Sequence, residues 1–227
     1  MELYWKACGG SLRLTYIRND LLDPRDTEFY GPNRILCKPP RAPKGGTGAL
    51  PADVVRTTEY CRVFTDTPTL LAHDVVIANS GIHYRPLPEY RQAMVVAAEV
   101  VSSAFRRASA KIQINGKSPT VLIFRNTVPG HNNCTASMFS QPLTSLEAME
   151  LLEQPGSDAE RYHWDQVAEM NAAVEPVFRG AGWSILDVHT PTLLRADNHR
   201  GNGDCLHYCV PGPIDHWVVL AFNMLLD

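Results

Sequence analysis

Apolar residues along the chain gather in short runs separated by polar turns, and the order of those runs sets the expected architecture. Residues 74–78 (DVVIA) and 120–124 (TVLIF) are continuous apolar runs with the length and β-branched character of strands buried on both faces. The first stops at Asn79-Ser80-Gly81, and the second runs into Arg125-Asn126-Thr127-Val128-Pro129-Gly130-His131. Between them, a helix over about residues 89–108 opens after Pro86 and Pro88 and carries apolar side chains at 94, 97, 98, 101 and 105, the period of an amphipathic face. A second helix is predicted over about 158–178, interrupted or ended near Pro176, and residues 183–188 (WSILDV) supply a third buried strand. Strand, helix, strand, helix, strand at this spacing predicts an α/β domain with a parallel sheet and right-handed crossovers. Residues 214–226 read as a closing helix over one face, with its aromatic and Met side chains in the core. Nearer the start, residues 13–22 read as a short strand running into a polar turn at Asn19-Asp20, while residues 2–8 are a poor candidate for a buried strand. The Pro- and Gly-rich stretch 38–51 reads as a surface loop or insertion.

With 227 residues, one sizeable core and a single domain are the default. A net charge of -3, with Lys and Arg scattered, argues against a nucleic-acid partner and favours a neutral or weakly charged substrate. No apolar run approaches the length of a membrane span, and residues 1–10 lack the basic flank and apolar core of a signal peptide, so neither is expected in this stretch of chain. The 6 cysteines, at positions 8, 37, 61, 134, 205 and 209, form no Cys-x-x-Cys pair, which favours disulfides in an oxidising compartment over zinc. The Asn133-Cys134-Thr135 sequon agrees with a secretory lumen. No His-x-x-x-His or His-Glu-x-x-His spacing occurs, so no metal site is expected.

In a parallel sheet the loops leaving the strand ends converge at one edge, which would collect Asn79, His83, Arg125, His131, Asp204 and His207. Asp204 and His207 stand three residues apart, so on a single helical turn the carboxylate could steer the imidazole. Pro211-Gly212-Pro213 then constrains the loop before the last apolar run. Asn79 offers a side-chain amide to an oxyanion, and Gly81 permits close backbone approach. The Pro129-Gly130 turn would aim His131 at this shared edge. Because the segments around 134 and 205–209 leave strands at one edge, Cys134 is expected to pair with Cys205 or Cys209.

The run 204–217, Asp-Cys-Leu-His-Tyr-Cys-Val-Pro-Gly-Pro-Ile-Asp-His-Trp, resembles the C-terminal signature of the PC-esterase group, which includes the trichome birefringence-like polysaccharide O-acetyltransferases and related SGNH-type acyl esterases. Asn79-Ser80-Gly81-Ile82-His83-Tyr84 and the segment 125–131 ahead of Cys134 are similar to two further blocks of that family. The resemblance implies an SGNH-like (flavodoxin-like) three-layer sandwich. It implies acetyl transfer to, or hydrolysis from, carbohydrate hydroxyls, with Asp204 and His207 serving a nucleophilic serine. Asn79, Gly81, Arg125 and His131 fall to oxyanion or substrate binding, and the setting to the Golgi lumen or the extracellular space. It implies no bound cofactor and names no acyl donor for this chain. The family's Gly-Asp-Ser block, which carries the serine, is absent: Gly9-Gly10-Ser11-Leu12 is the nearest string, and Ser11 is a poor match. The likeness therefore begins at the family's second strand, and the expectation is a domain short of its first strand. The rival expectation is a non-catalytic carbohydrate-binding or structural remnant of the same fold.

Overall fold

A computed structural model describes residues 2–7, 12–17, 55–57, 67–82, 87–112, 120–132, 134, 141–148, 164–199 and 204–226. The central sheet is parallel, in the order β4 (Val75–Ala78), β5 (Val121–Arg125), β6 (Ser184–Leu186). Its register pairs Val76 with Leu122, Ala78 with Phe124, and Phe124 with Ile185. These are the three strands expected from the apolar runs. A second, antiparallel sheet in the order β2-β1-β3 contains β1 (Glu2–Ala7), β2 (Leu12–Ile17) and β3 (Val55–Thr57). Residues 2–7 thus do form a strand, outside the parallel sheet, where antiparallel partners supply the backbone hydrogen bonds that a weak apolar pattern could not announce. The 38–51 stretch lies outside the described residues.

Helices cover both faces of the parallel sheet. A short α1 (Thr67–Leu71) precedes β4. The long α2 (Leu87–Ile112) buries Met94, Ala97, Ala98, Val101 and Phe105, the apolar positions expected to face the core, against Val76, Ala78, Leu122 and Phe124. Pro88 falls in its first turn, where a missing N–H breaks no helical bond. On the same face α3 (Val167–Gly180) stacks Phe178 on Phe124, ring centroids 3.9 Å apart. This helix runs through Pro176 rather than ending there. Pro176 and Ala172, whose carbonyl loses its donor, are both on the exposed side, where water can replace the bond. The short α4 (His189–Leu193) follows β6.

The opposite face is closed by α5 (Pro213–Leu226), which sets Trp217, Leu220, Ala221 and Met224 on Ile123, Leu186 and Val188. That spacing is one helical stripe. Phe222 falls off it and is 52% exposed, so it is not the core residue expected of an aromatic in this run. Ile77 is likewise 50% exposed, so β4 is not buried on both faces. The side chains of α5 reach Val75 but leave this part of the edge strand open. The described fold is mixed α/β, three layers deep around an open parallel sheet.

Candidate active site

The carboxyl ends of β4 and β5 are tied by Asn79. Its Nδ2 donates to the Arg125 carbonyl at 2.9 Å and to Thr127 Oγ1 at 3.1 Å, while its Oδ1 accepts from Arg125 Nη2. The Arg125 guanidinium also lies over the Trp217 ring, 5.1 Å from its centroid, which joins the strand end to α5. Thr127 is held in turn by Asn171 of α3, with its N–H donating at 2.9 Å and its carbonyl accepting at 2.8 Å. A Cβ on Gly81 would stand 2.3 Å from Thr127 Oγ1, so the close approach at this glycine is between the two loops.

Below the turn at Pro129-Gly130 the chain presses onto an indole: a Cβ on Gly130 would meet Trp164 at 2.3 Å. Cys134 and Cys205 form a disulfide, and the His131 N–H donates to the Cys205 carbonyl at 3.0 Å. Ile82 and Leu206 pack around this bridge with Trp164. The loops after β4 and β5 and the C-terminal loop thus meet, as parallel strands require. Of the two pairings expected for Cys134 the structure selects Cys205; Cys209 is a free, exposed thiol.

Asp204 and His207 face one another on this loop. His207 Nδ1 lies 2.9 Å from Asp204 Oδ2 and 3.0 Å from Oδ1. No helical turn brings them together. Asp204 Oδ1 instead accepts the backbone N–H groups of Leu206 at 3.3 Å and His207 at 3.1 Å, an Asx-type turn that closes the same three-residue gap. Partial burial pushes the Asp204 carboxyl up, but the His207 N–H, the His207 ring and the Leu206 N–H outweigh it and hold the group below the usual carboxylate value. With Nδ1 turned to the carboxylate, Nε2 is left for a reacting group, and the side chain is 67% exposed. The arrangement can orient an imidazole and stabilise it once protonated.

The other candidates are placed differently. Both amide hydrogens of Asn79 go to protein acceptors, so the amide holds loops together in this structure. Arg125 is half-buried between Asn79 and Trp217 at the sheet edge. His131 does not reach a substrate surface: it is fully buried, with Nε2 2.8 Å from the Leu193 carbonyl and Nδ1 2.8 Å from His199 Nε2. His83 and Ser11 lie outside the described residues. Sequence reasoning passed over Thr127, Asn171, His199 and Tyr208. The Tyr208 hydroxyl donates to the Pro129 carbonyl at 2.8 Å and its ring stacks on His199 at 4.4 Å. Of these, Thr127 in the 125–131 block and Tyr208 in the C-terminal signature carried a sequence signal. Among the described residues, no group of three or more His, Cys, Asp or Glu side chains is arranged to hold a metal ion.

The PC-Esterase model, a GDSL/SGNH-like acyl-esterase family found in Pmr5 and Cas1p, matches residues 67–224. The chain belongs to this family. Its matched segment includes the whole parallel sheet, α5 as far as Met224, and every residue of the strand-end cluster. Xyloglucan O-acetyltransferase 4 of Populus trichocarpa is 36% identical over 82 residues, 29% of this chain and 20% of that protein. Xyloglucan O-acetyltransferase 1 of Arabidopsis thaliana is 39% identical over 57 residues, 18% of this chain and 14% of that protein. Protein trichome birefringence-like 25 of Arabidopsis thaliana is 34% identical over 62 residues, covering 19% and 14%. The aligned stretches thus span no more than 20% of these three relatives.

Proposed function

We propose that this PC-esterase domain moves an acetyl group onto or off a carbohydrate hydroxyl, with Asp204 and His207 as the activating pair. The observation that carries the reading is the carboxylate–imidazole contact of 2.9 Å with the ring open to solvent. In this scheme His207 Nε2 takes the proton of a serine hydroxyl as the serine oxygen bonds to the acyl carbon, and Asp204 holds the Nδ1–H tautomer. His207 then returns the proton to the departing alcohol. A second hydroxyl, or water, attacks the acyl-serine through the same base and frees the serine. The oxyanion falls to backbone N–H groups of the strand-end loops, since the Asn79 amide is occupied. Arg125, at the sheet edge, is the proposed contact for sugar hydroxyls. The xyloglucan named for two relatives makes a plant cell-wall polysaccharide the proposed substrate. The Cys134–Cys205 bridge supports an oxidising setting such as the Golgi lumen or the extracellular space. Among the described residues no helix is long and apolar enough to cross a membrane.

The serine in this scheme has no Gly-Asp-Ser string to stand on in this chain, which favours one rival: a carbohydrate-binding module that keeps the scaffold without the chemistry. Hydrolysis of a chromogenic acetyl ester by wild type and His207→Ala separates the two. Acyl transfer predicts a rate about 10²- to 10⁴-fold lower in the variant, the usual contribution of a general base. Equal, negligible turnover in both identifies the binding module.

A further inference from the structure

Behind the proposed active pair stands a buried couple of imidazoles. His131, from the loop after β5, and His199, just after the single-turn helix at 196–198, meet edge to face, Nδ1 to Nε2, at 2.8 Å. The far nitrogen of His199, Nδ1, lies 3.0 Å from the carbonyl of His207 itself. This contact is supported twice more. His199 and Tyr208 form an antiparallel bridge, flanked by the Cys209 N–H donating to the Asn198 carbonyl at 2.9 Å, and the Tyr208 ring stacks on His199. We infer that His199 is a positioning residue for His207: as the Nδ1–H tautomer it grips the His207 carbonyl and fixes the backbone from which the ring reaches Asp204. This rests on the acyl-transfer reading for its consequence in catalysis, but not for its geometry.

Proton counting makes the inference specific. Carbonyls only accept, so the contacts to Leu193 and His207 each need an N–H, and the contact between the rings needs one more. Two neutral imidazoles carry two protons for these three contacts. The Tyr208 hydroxyl also stands 3.3 Å from His131 Nδ1, but its proton goes to the Pro129 carbonyl at 2.8 Å, so toward the ring it can only accept and it supplies none. Keeping the His207 contact therefore commits His199 to Nδ1–H, the less common tautomer of a free imidazole. Burial pushes both rings toward the neutral form. The groups around them are Asp197, itself paired with Arg195, then His189, Asp204 and His207. Acid adds one proton to the couple and completes the third contact. A second would set two N–H groups head to head at 2.8 Å, so the couple takes up one proton and not two.

Nitrogen-labelled histidine spectra of the whole chain test this without reference to turnover. At pH 8 the wild type is expected to show His199 as Nδ1–H; finding it as Nε2–H overturns the inference. Independent uptake of two protons by His131 and His199 on acidification also overturns it. His199→Phe keeps the ring that stacks on Tyr208 and removes the donor, whereas His199→Asn restores a donor near the Nδ1 position. In folded His199→Phe, His207 is expected to lose its Nδ1–H preference and kcat to fall about 10- to 100-fold with KM held, since small misplacements of a catalytic group act on that scale. His199→Asn is expected to recover most of both. A His207 tautomer and kcat unchanged in folded His199→Phe refutes the positioning role. If His199→Phe does not fold, the wild-type tautomer decides. If the wild type turns over no ester while its tautomers are as expected, the acyl-transfer reading fails and the positioning geometry stands.

Discussion

Asn126 is the residue whose removal most directly tests how the strand ends are held. It is 2% exposed and uses its whole amide. Nδ2 donates to Asp187 Oδ1 at 2.8 Å and Glu175 Oε1 at 3.1 Å, and Oδ1 accepts the N–H groups of Val188 and His189, both at 2.9 Å. These bonds lash the loop after β5 to the exit of β6 and to α3. Replacing it by the near-isosteric Leu leaves two buried N–H groups unsatisfied, at about 1–3 kcal/mol each. Part of that is offset because the amide no longer needs desolvation. Asp187 keeps the Thr190 hydroxyl and N–H as donors, so it adds little. The net expectation is about 3 kcal/mol of lost stability, a fall in Tm of about 6–12 °C for a chain of this size. Thermal unfolding at pH 7 followed by circular dichroism measures it. Asn126→Asp is a sharper probe: it keeps the acceptor for Val188 and His189 but sets a carboxylate against Glu175 and Asp187, so its deficit should shrink as acid protonates it. A fall in Tm below about 2 °C for Asn126→Leu would refute the account of Asn126 as the tie.

Two further expectations follow from the same loops. The Cys134–Cys205 bridge spans 71 residues, for which loop entropy gives about 4 kcal/mol of stabilisation, so Cys205→Ser should unfold well below wild type. Non-reducing peptide mass spectrometry should recover the linked 134 and 205 peptides, and finding all thiols free would remove both the bridge and the oxidising setting. Burial lowers His131 to about 4 from its ordinary 6.5, so the unfolded chain takes up a proton there before the folded one does. Stability is therefore expected to fall as pH drops from about 6.5 toward 4, by up to about 3 kcal/mol, and the fall should lessen in His131→Gln. A flat urea midpoint across that range would contradict the burial of this ring.

Much of the fold could be read from local pattern because burial writes itself into periodicity. Apolar runs at 74–78, 120–124 and 183–188 became β4, β5 and β6, and the stripe at 94, 97, 98, 101 and 105 became the core face of α2. Residues 2–7 show no such run, because a strand paired in a separate antiparallel sheet is specified by its partners rather than by its own apolar content. Pro176 failed because a proline is expensive only where its orphaned carbonyl cannot reach water.

The chain alone thus singled out the candidate pair: an Asp and a His three apart inside a long specific signature, beside three strands whose ends must point one way. Tertiary structure alone decided what each can do, because hydrogen bonds and burial are settled by partners remote in sequence. Asn79 looked like a free amide until Arg125 and Thr127, some 46 and 48 residues on, took its hydrogens. His131 looked like a ligand for a sugar until His199, 68 residues away, and the Leu193 carbonyl enclosed it. Asp204 and His207, close enough along the chain for a single turn to join them, had a contact that the sequence could foresee.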